Sequence, residues 1–264
     1  MKYKEINLEK GKVLVYAFKD IKVHNYNTED AIDDQVILLE KNKKLVVIES
    51  PTFYDNNKEL EEYIKSLNVE LDGVLLAYHM GVGTFLKGTK KFATHNADEY
   101  GHQGGGKELI DSFTKAFGES FDSKMHDITS YIGKGKFTLA DIKMNIILTT
   151  EAYDIEIPEI NSIYTHMLGS NCHSIIAGVD HAEALIETLK GYLDKNYNLI
   201  LTSHYIPEDM AAVKTKISYI EALLNIASTC TNAEEMIEKV DKEYPEYSGH
   251  NYLKMTANFF FPKN

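Results

Sequence analysis

Two histidines, each at the end of an apolar run, are the residues of this sequence best suited to chemistry. His79 ends the run 73–79 and His204 ends the run 198–204. Apolar runs without alternation are typical of strands covered on both faces, and open α/β sheets place their ligand crevice at the carboxyl ends of strands. A histidine there can bind a metal, act as a base or orient a ligand. The alternative is that each histidine only hydrogen-bonds a neighbouring loop.

The elements that must position these histidines are short strands and amphipathic helices. We predict strands or extended segments at 13–18, 35–39, 45–48, 73–79, 128–149 (around a turn at 133–135), 155–167, 173–177 and 198–204. Helical spacing of apolar residues predicts helices at 57–67, 107–117, 182–193, 207–227 and 233–244, the last with Thr231 as its N-cap. Nothing in the composition marks a boundary, so we expect one domain over 1–264 with a C-terminal helical segment from about 207 to 264.

The charge and composition exclude several classes of function. With 28 Lys and Arg against 40 Asp and Glu, the net charge is −12 and no basic cluster exists, which argues against binding to nucleic acid. No stretch approaches the roughly 18 apolar residues of a membrane span, and residues 1–12 lack the apolar core of a signal peptide. We expect a cytoplasmic protein in which the two cysteines, Cys172 and Cys230, are free thiols.

Four segments resemble landmarks of the metallo-β-lactamase-fold superfamily, in the same order along the chain. Residues 46–51 resemble the strand that ends in its Asp-Thr-Gly turn, 75–79 the strand before its Thr-His-x-His-x-Asp-His signature, 168–171 its Pro-Gly-His-Thr segment and 199–204 its terminal strand and Gly-His element. The resemblance implies a four-layer αββα sandwich with a site at one edge of the sheets. It also implies a hydrolase ancestry with small esters, thioesters, amides or phosphodiesters as substrates.

The metal ligands of that superfamily are mostly replaced in this sequence. His79 and His204 keep two of the positions, whereas Gly81, Gly83 and Thr84 stand in the signature where ligands belong, and Ser170 replaces a later histidine. Each of the family's two metals would retain a single protein ligand, and a catalytic zinc needs three. We therefore expect no cofactor at the inherited dinuclear site.

Three functions are compatible with these observations, and whether the chain is an enzyme stays open. The first is a divergent member with a remodelled small-molecule site, in which His79 and His204 act as a metal-free acid and base. Its ligand-binding residues would be Glu49, Tyr78, His166, Ser170, His173 and Tyr205. The second is a hydrolase with zinc, iron or manganese at a relocated site drawn from His79, His166, His173 and His204. The third is a non-catalytic interaction protein whose C-terminal helices form a homo-oligomer or partner surface.

Two further motifs give weaker alternatives. His95, Glu99 and His102 would share one face of a helix, but the glycines at 101 and 104–106 favour a solvated loop there. Residues 101–107 have the spacing of a phosphate-binding loop, G-x-x-x-x-G-K. Because Glu108 replaces the hydroxyl residue that would bind magnesium, we favour helix-capping glycines or a mobile lid over a nucleotide site.

Overall fold

The structure of the chain, a computed structural model, describes residues 1–81 and 83–262. Its backbone contacts divide the chain into two compact units. The sheet unit comprises Met1–Met167 and Asn198–Pro207, and the helical unit comprises Leu168–Tyr197 and Glu208–Asn264. The expectation of a single domain stays a prediction.

The sheet unit contains two β-sheets. Its strands are β1 (Lys4–Asn7), β2 (Lys12–Ala17), β3 (Lys22–Asn27), β4 (Gln35–Lys41), β5 (Lys44–Ile48), β6 (Glu70–Leu75), β7 (Lys91–Ala93), β8 (Ser130–Tyr131), β9 (Gly135–Leu139), β10 (Ile142–Leu148), β11 (Tyr153–Ile157), β12 (Ser162–Thr165) and β13 (Leu199–Thr202). Strands β1 to β8 form the first sheet in chain order, antiparallel up to β5 and parallel from β5 onwards. The second sheet has the order β13-β12-β11-β10-β9, and only its β12–β13 pair is parallel.

One hydrophobic cluster joins the two sheets. Residues 36–39 of β4 and 45–48 of β5 are fully buried, and residues of β10, β11 and β13 contribute to the same cluster. Each such aliphatic side chain stabilises the fold by about 1.5–3 kcal/mol relative to leaving it exposed. The predicted α/β class with two sheets and helices is confirmed.

Of the α-helices in the described part of the chain, three belong to the sheet unit and four to the helical unit. The first group is α1 (Tyr54–Ser66), α2 (His95–Gln103) and α3 (Gly105–Phe117), and the second is α4 (Val179–Lys195), α5 (Met210–Ser228), α6 (Ala233–Glu243) and α7 (His250–Phe260). Helix α1 adds Leu60 and Ile64 to the cluster between the sheets. In the helical unit α4 packs on α5, which buries Val213 and Ile220 on one face. Among the described residues, no helix combines the length and apolarity needed to cross a bilayer.

Several local predictions were wrong. The segment predicted as a loop around His95 and His102 is helix α2, in which position 101 requires glycine because a Cβ there would lie 2.1 Å from Met80 Cγ. The N-cap of α6 is Asn232, whose side chain accepts from the Glu235 amide, rather than Thr231.

Two predictions about extended segments also need correction. Residues 173–177 are irregular instead of forming a strand. The hairpin within 128–149 turns at 140–141, where both residues have positive φ, whereas 132–134 link two different sheets. Both cysteines are free, as predicted.

Candidate metal centre

Three histidines of the sheet unit meet at the ends of strands. His79 follows β6, His166 follows β12 and His204 follows β13. The Nε2 atom of His204 lies 3.3 Å from Nε2 of His79 and 3.1 Å from Nε2 of His166. One ring nitrogen on each of the three lies within 4.8 Å of the others. We call this group the histidine triad. The predicted proximity of His79 and His204 is confirmed, while their catalytic role stays a prediction.

The pairing of β12 with β13 brings His166 and His204 to one edge. The two strands are parallel, with Thr165 opposite Thr202, and the Ser203 amide donates to the His166 carbonyl at 3.0 Å. Parallel neighbours end at the same side of a sheet, which is where ligand crevices form. The hydrogen-bond register of the sheet therefore sets the spacing of these two side chains.

A buried carboxylate fixes the backbone in front of His79. Glu49, fully buried after β5, accepts from the amides of Ala77 at 3.3 Å, Tyr78 at 2.8 Å and His79 at 3.0 Å, and from the Tyr164 hydroxyl at 2.7 Å. Hydrogen bonds to an ionised acceptor are roughly twice as strong as neutral ones. Glu49 holds its position with φ +69, outside the favoured backbone regions. Glu49 therefore positions His79, and its predicted role in ligand binding stays a prediction.

A second buried carboxylate orients His204. Asp34 is fully buried, with Oδ1 3.3 Å from His204 Nδ1 and with Oδ2 accepting from the Thr52 hydroxyl at 3.2 Å. Burial raises the pKa of Asp34, but His79, His204 and Thr52 outweigh it and leave the pKa below its usual value. A carboxylate at Nδ1 keeps the proton on that nitrogen and presents the Nε2 lone pair, which is how metal-binding histidines are commonly held.

An aromatic ring supports the third histidine. Tyr78 stacks on His166, with ring centroids 4.3 Å apart and planes 6° from parallel. The Tyr78 hydroxyl donates to Asp154 at 3.1 Å, and burial raises the pKa of Asp154 to about 6. Burial, together with charge on His204 and His79, holds the pKa of His166 well below its usual value. His166 is therefore a neutral imidazole at physiological pH.

Hydrogen bonds alone do not satisfy all ring nitrogens of the histidine triad. With Nδ1 of His204 protonated toward Asp34, its Nε2 carries one lone pair, which faces both His79 and His166. One lone pair cannot accept two good hydrogen bonds. Nδ1 of His79 is a separate case: it is buried without a hydrogen-bond partner among the described residues, and a cation at Nε2 would not provide one. A cation between the three Nε2 atoms would use all three lone pairs, so the donor set fits a metal ion.

Several solved structures are similar to this chain over most of its length. A metallo-beta-lactamase family protein from Thermus thermophilus is 11% identical, with a TM-score of 0.62, over 91% of this chain and 91% of that one. A metallo-beta-lactamase from Erythrobacter litoralis is 12% identical, with a TM-score of 0.54, over 83% and 100% of the two chains. The sec-alkylsulfatase Pisa1 from Pseudomonas sp. is 13% identical, with a TM-score of 0.60, over 90% and 48%.

This chain has the metallo-β-lactamase fold. It spans about half of the length of the alkylsulfatase it matches. No protein-family model matches the chain, and no curated protein matches its sequence significantly. The predicted resemblance is confirmed at the level of fold, at identities of 11–13%.

The residues that the resemblance places at ligand positions of the signature make structural contacts in this chain. A Cβ at Gly83 would lie 2.2 Å from the Met125 carbonyl oxygen, so that position requires glycine. The Thr84 hydroxyl donates to Asp122. Gly81 forms an isolated bridge with Met125. The third histidine of the triad is His166, four residues before Ser170, which the resemblance places at the family's later histidine.

The other predicted site residues divide between the two units. Tyr205 follows His204, and its amide donates to the Thr202 hydroxyl at 3.0 Å. Ser170 and His173 belong to the helical unit. The Ser170 amide donates to Glu208, and Nδ1 of His173 lies 2.8 Å from the Tyr219 hydroxyl. Three of the four histidines of the relocated-site hypothesis therefore meet, and His173 has partners of its own.

The two weaker motifs have structural explanations. Nδ1 of His102 lies 2.7 Å from Asp98, and its Nε2 lies 3.1 Å from the His126 carbonyl, so both ring nitrogens are used. His95 stacks on Tyr131. In the glycine-rich stretch, Gly101 packs on Met80 and Gly104 ends α2 and begins α3. These contacts favour packing and capping over a metal or nucleotide site.

Asp34 is the residue that sequence reasoning missed. The signal was the pair Asp33-Asp34 directly before the apolar strand 35–39. Its side chain acts on His204, far along the chain, and no spacing rule connects the two.

Proposed function

We propose that this chain is a metal-dependent hydrolase of small molecules, with one zinc ion held by the histidine triad. The observation that carries the proposal is the spacing of the three Nε2 atoms, with two of the distances at 3.1 and 3.3 Å. Zinc binds imidazole at about 2.0–2.1 Å, so two nitrogens of a tetrahedral site are separated by roughly 3.3 Å. Three histidines and an open fourth position form the donor set of a catalytic zinc site.

When bound, the metal would supply a hydroxide nucleophile by lowering the pKa of its water, and would polarise the bond to be cleaved. The chain's own residues hold the site in shape. Asp34 keeps the proton of His204 on Nδ1, Glu49 fixes the backbone before His79, and Tyr78 sets the plane of the His166 ring. Each support acts on a different ligand, so the site is formed before metal arrives.

The substrate class follows from the fold and stays a proposal. Hydrolases of the metallo-β-lactamase fold act on small esters, thioesters, amides and phosphodiesters, and we propose a small-molecule substrate of this kind. The fold likeness to a sec-alkylsulfatase adds secondary alkyl sulfate esters to the substrates worth testing.

Metal-free acid–base catalysis is the second candidate function, because Asp34 and His204 also form a carboxylate–imidazole pair. Such a pair makes His204 a competent general base, as in other hydrolases. This candidate needs His79, His204 and Asp34, but it does not need a third nitrogen from His166. The role of His166 therefore separates the two candidates.

The test measures zinc content and hydrolysis in the wild-type chain and in the variant His166→Ala. After removal of metal with a chelator and reloading with zinc, we expect H166A to hold one zinc fewer per chain and to hydrolyse a panel of model esters, thioesters, phosphodiesters and alkyl sulfates at least about 100-fold more slowly. His95→Ala is the matched control, because this exposed histidine lies in the same unit outside the triad.

The outcomes distinguish the candidates. Equal zinc content in H166A and wild type would contradict a triad-bound metal. Hydrolysis that persists in chelator and is lost in D34N would instead support the metal-free mechanism.

A further inference from the structure

The helical unit contains a second group of metal-ligating side chains. His173, Asp241 and His250 each place one potential ligand atom within 4.8 Å of the others. Nδ1 of His250 lies 3.1 Å from Oδ1 of Asp241, and the rings of His173 and His250 are 5.5 Å apart between centroids. We call this group the second cluster.

The buried member of the second cluster has an unused nitrogen. His173 is 0% exposed, and its Nδ1 is engaged with the Tyr219 hydroxyl at 2.8 Å. Its Nε2 has no hydrogen-bond partner among the described residues. Leaving a buried polar atom unsatisfied costs about 1–3 kcal/mol. In the tautomer in which Nδ1–H donates to the Tyr219 hydroxyl, Nε2 keeps a free lone pair, which is the arrangement typical of a metal ligand.

A pair of backbone hydrogen bonds brings the segments that carry His173 and His250 together. The His173 amide donates to the Ser248 carbonyl at 2.9 Å, and the Ser248 amide donates to the Asn171 carbonyl at 3.2 Å. Gly249, with φ +78, begins α7, and a Cβ there would lie 2.7 Å from Cys172 Sγ. The segment before His250 is therefore locked beside the segment that carries His173.

The charge around the second cluster favours a cation. Asp241 lies in the last turn of α6, where the unpaired carbonyls of the helix carry partial negative charge. Lys216 is a nearby buried cation, but its Nζ donates to the carbonyls of Gly169 and Cys172 at 2.9 and 2.7 Å. The ammonium group is thus engaged by backbone oxygens, so it leaves the Asp241 carboxylate free to act as a ligand.

We propose that His173, Asp241 and His250 form a second binding site for a divalent transition metal, with zinc as the ion that suits them best. Two imidazoles and one carboxylate are a recognised zinc donor set, which leaves a fourth position for water. The Asp241 and His250 side chains are 41% and 55% exposed, so the ion can exchange with solvent. The bound ion ties the ends of α6 and α7 to the segment 171–173. This site does not depend on the proposed function of the histidine triad.

The test counts bound zinc in full-length chains. The variants are His250→Ala and Asp241→Asn, each made in the wild-type chain and in H166A so that the two sites are counted separately. After equilibrium dialysis against buffered zinc and elemental analysis, we expect each variant to hold one zinc fewer than its parent. Because both residues are partly exposed, the variants should fold, and equal melting temperatures of variant and parent in chelator check this.

A second measurement tests whether the bound ion holds the ends of α6 and α7 to the segment 171–173. We expect zinc to raise the melting temperature of H166A, and we expect that rise to be lost in H166A combined with H250A. His181→Ala is the matched control, since this exposed histidine lies in the same unit and bonds only locally, accepting from the Ala177 amide. The site is disproved if H250A and D241N both retain the full zinc content of their parents. A rise in melting temperature that survives when H166A is combined with H250A would disprove the proposal that the ion holds the ends of α6 and α7 to the segment 171–173.

Discussion

The histidine triad and the second cluster use similar ligands but are supported in different ways. Each triad histidine follows a strand, and a separate neighbour holds each one: Asp34, Glu49 and Tyr78. In the second cluster only His173 is held by a buried partner, Tyr219, while Asp241 and His250 lie on helix ends at the surface. From this difference we infer that metal-binding side chains at strand ends are positioned by the sheet before a metal binds. Donors on helix ends rely more on the metal itself.

The largest expected effect comes from Glu49, the support of His79. In Glu49→Gln the side chain loses its charge and turns an amide group toward backbone N–H donors. Because hydrogen bonds to a charged acceptor contribute about 1.5–3 kcal/mol each, we expect the free energy of unfolding to fall by at least about 3 kcal/mol. Urea denaturation of the metal-free chain measures this.

A matched carboxylate elsewhere in the sheet unit provides the control for Glu49. Glu59 also accepts two backbone amides, from Lys10 and Gly11, and the Tyr26 hydroxyl, but it is only half-buried. Water can replace its bonds, so Glu59→Gln should cost about 1 kcal/mol. Equal losses in E49Q and E59Q would show that burial of the Glu49 network contributes nothing special.

The next effect concerns Asp34, which should matter for the triad and not for the second cluster. Asp34→Asn keeps the shape of the side chain but removes the charge that fixes the His204 tautomer. Loss of such a partner lowers metal affinity by about 10–100-fold, so we expect zinc binding at the triad to weaken by up to about 100-fold. Titration with zinc in an H250A background measures this. Asp33→Asn, at the exposed neighbour, is the control and should change affinity less than about threefold.

The smallest effect is a pH dependence at the support of His166. Burial raises the pKa of Asp154 to about 6, above the value of about 3.9 expected in the unfolded chain. Between these values the folded state holds a proton that the unfolded state has released, so stability falls as the pH rises. Asp154→Asn has no proton to release at this position, so its stability should not fall with pH for this reason.

We therefore expect the stability of D154N relative to wild type to increase by about 2 kcal/mol between pH 4 and pH 7. Urea unfolding at the two pH values measures it. The exposed Asp20→Asn serves as control and should give no such increase. A D154N chain whose relative stability is constant over this range would mean that Asp154 is ionised beside Tyr78.

The parts of the fold that the sequence predicted are those governed by local pattern. The apolar runs before His79 and His204 mark buried strands. The proximity of these two histidines was implied by the resemblance and not by local pattern, because β6 and β13 lie in different sheets. Helix α2 was missed because glycine is unfavourable in an isolated helix, whereas position 101 has no room for a Cβ beside Met80. A tertiary contact overrode the local preference.

The supports of the triad and the second cluster could not be predicted for a different reason. Asp34 acts on His204 through the packing of distant segments, and no periodicity links the two positions. In the second cluster, Asp241 and His250 lie on separate helices, and the backbone bridge between Cys172 and Ser248 brings the segment before α7 beside His173. Such contacts depend on the whole fold.

The parallel pairing of β12 with β13 has a consequence for how this protein can diversify. The two strands are neighbours in space, but residues 168–197 separate them in the chain. In the folding of the second sheet, residues 168–197 count as one long loop between β12 and β13. The entropic cost of closing a loop grows by only about 0.6 kcal/mol for each doubling of its length. We therefore expect an insertion, deletion or graft within these residues to leave the distance between the imidazoles of His166 and His204 unaltered.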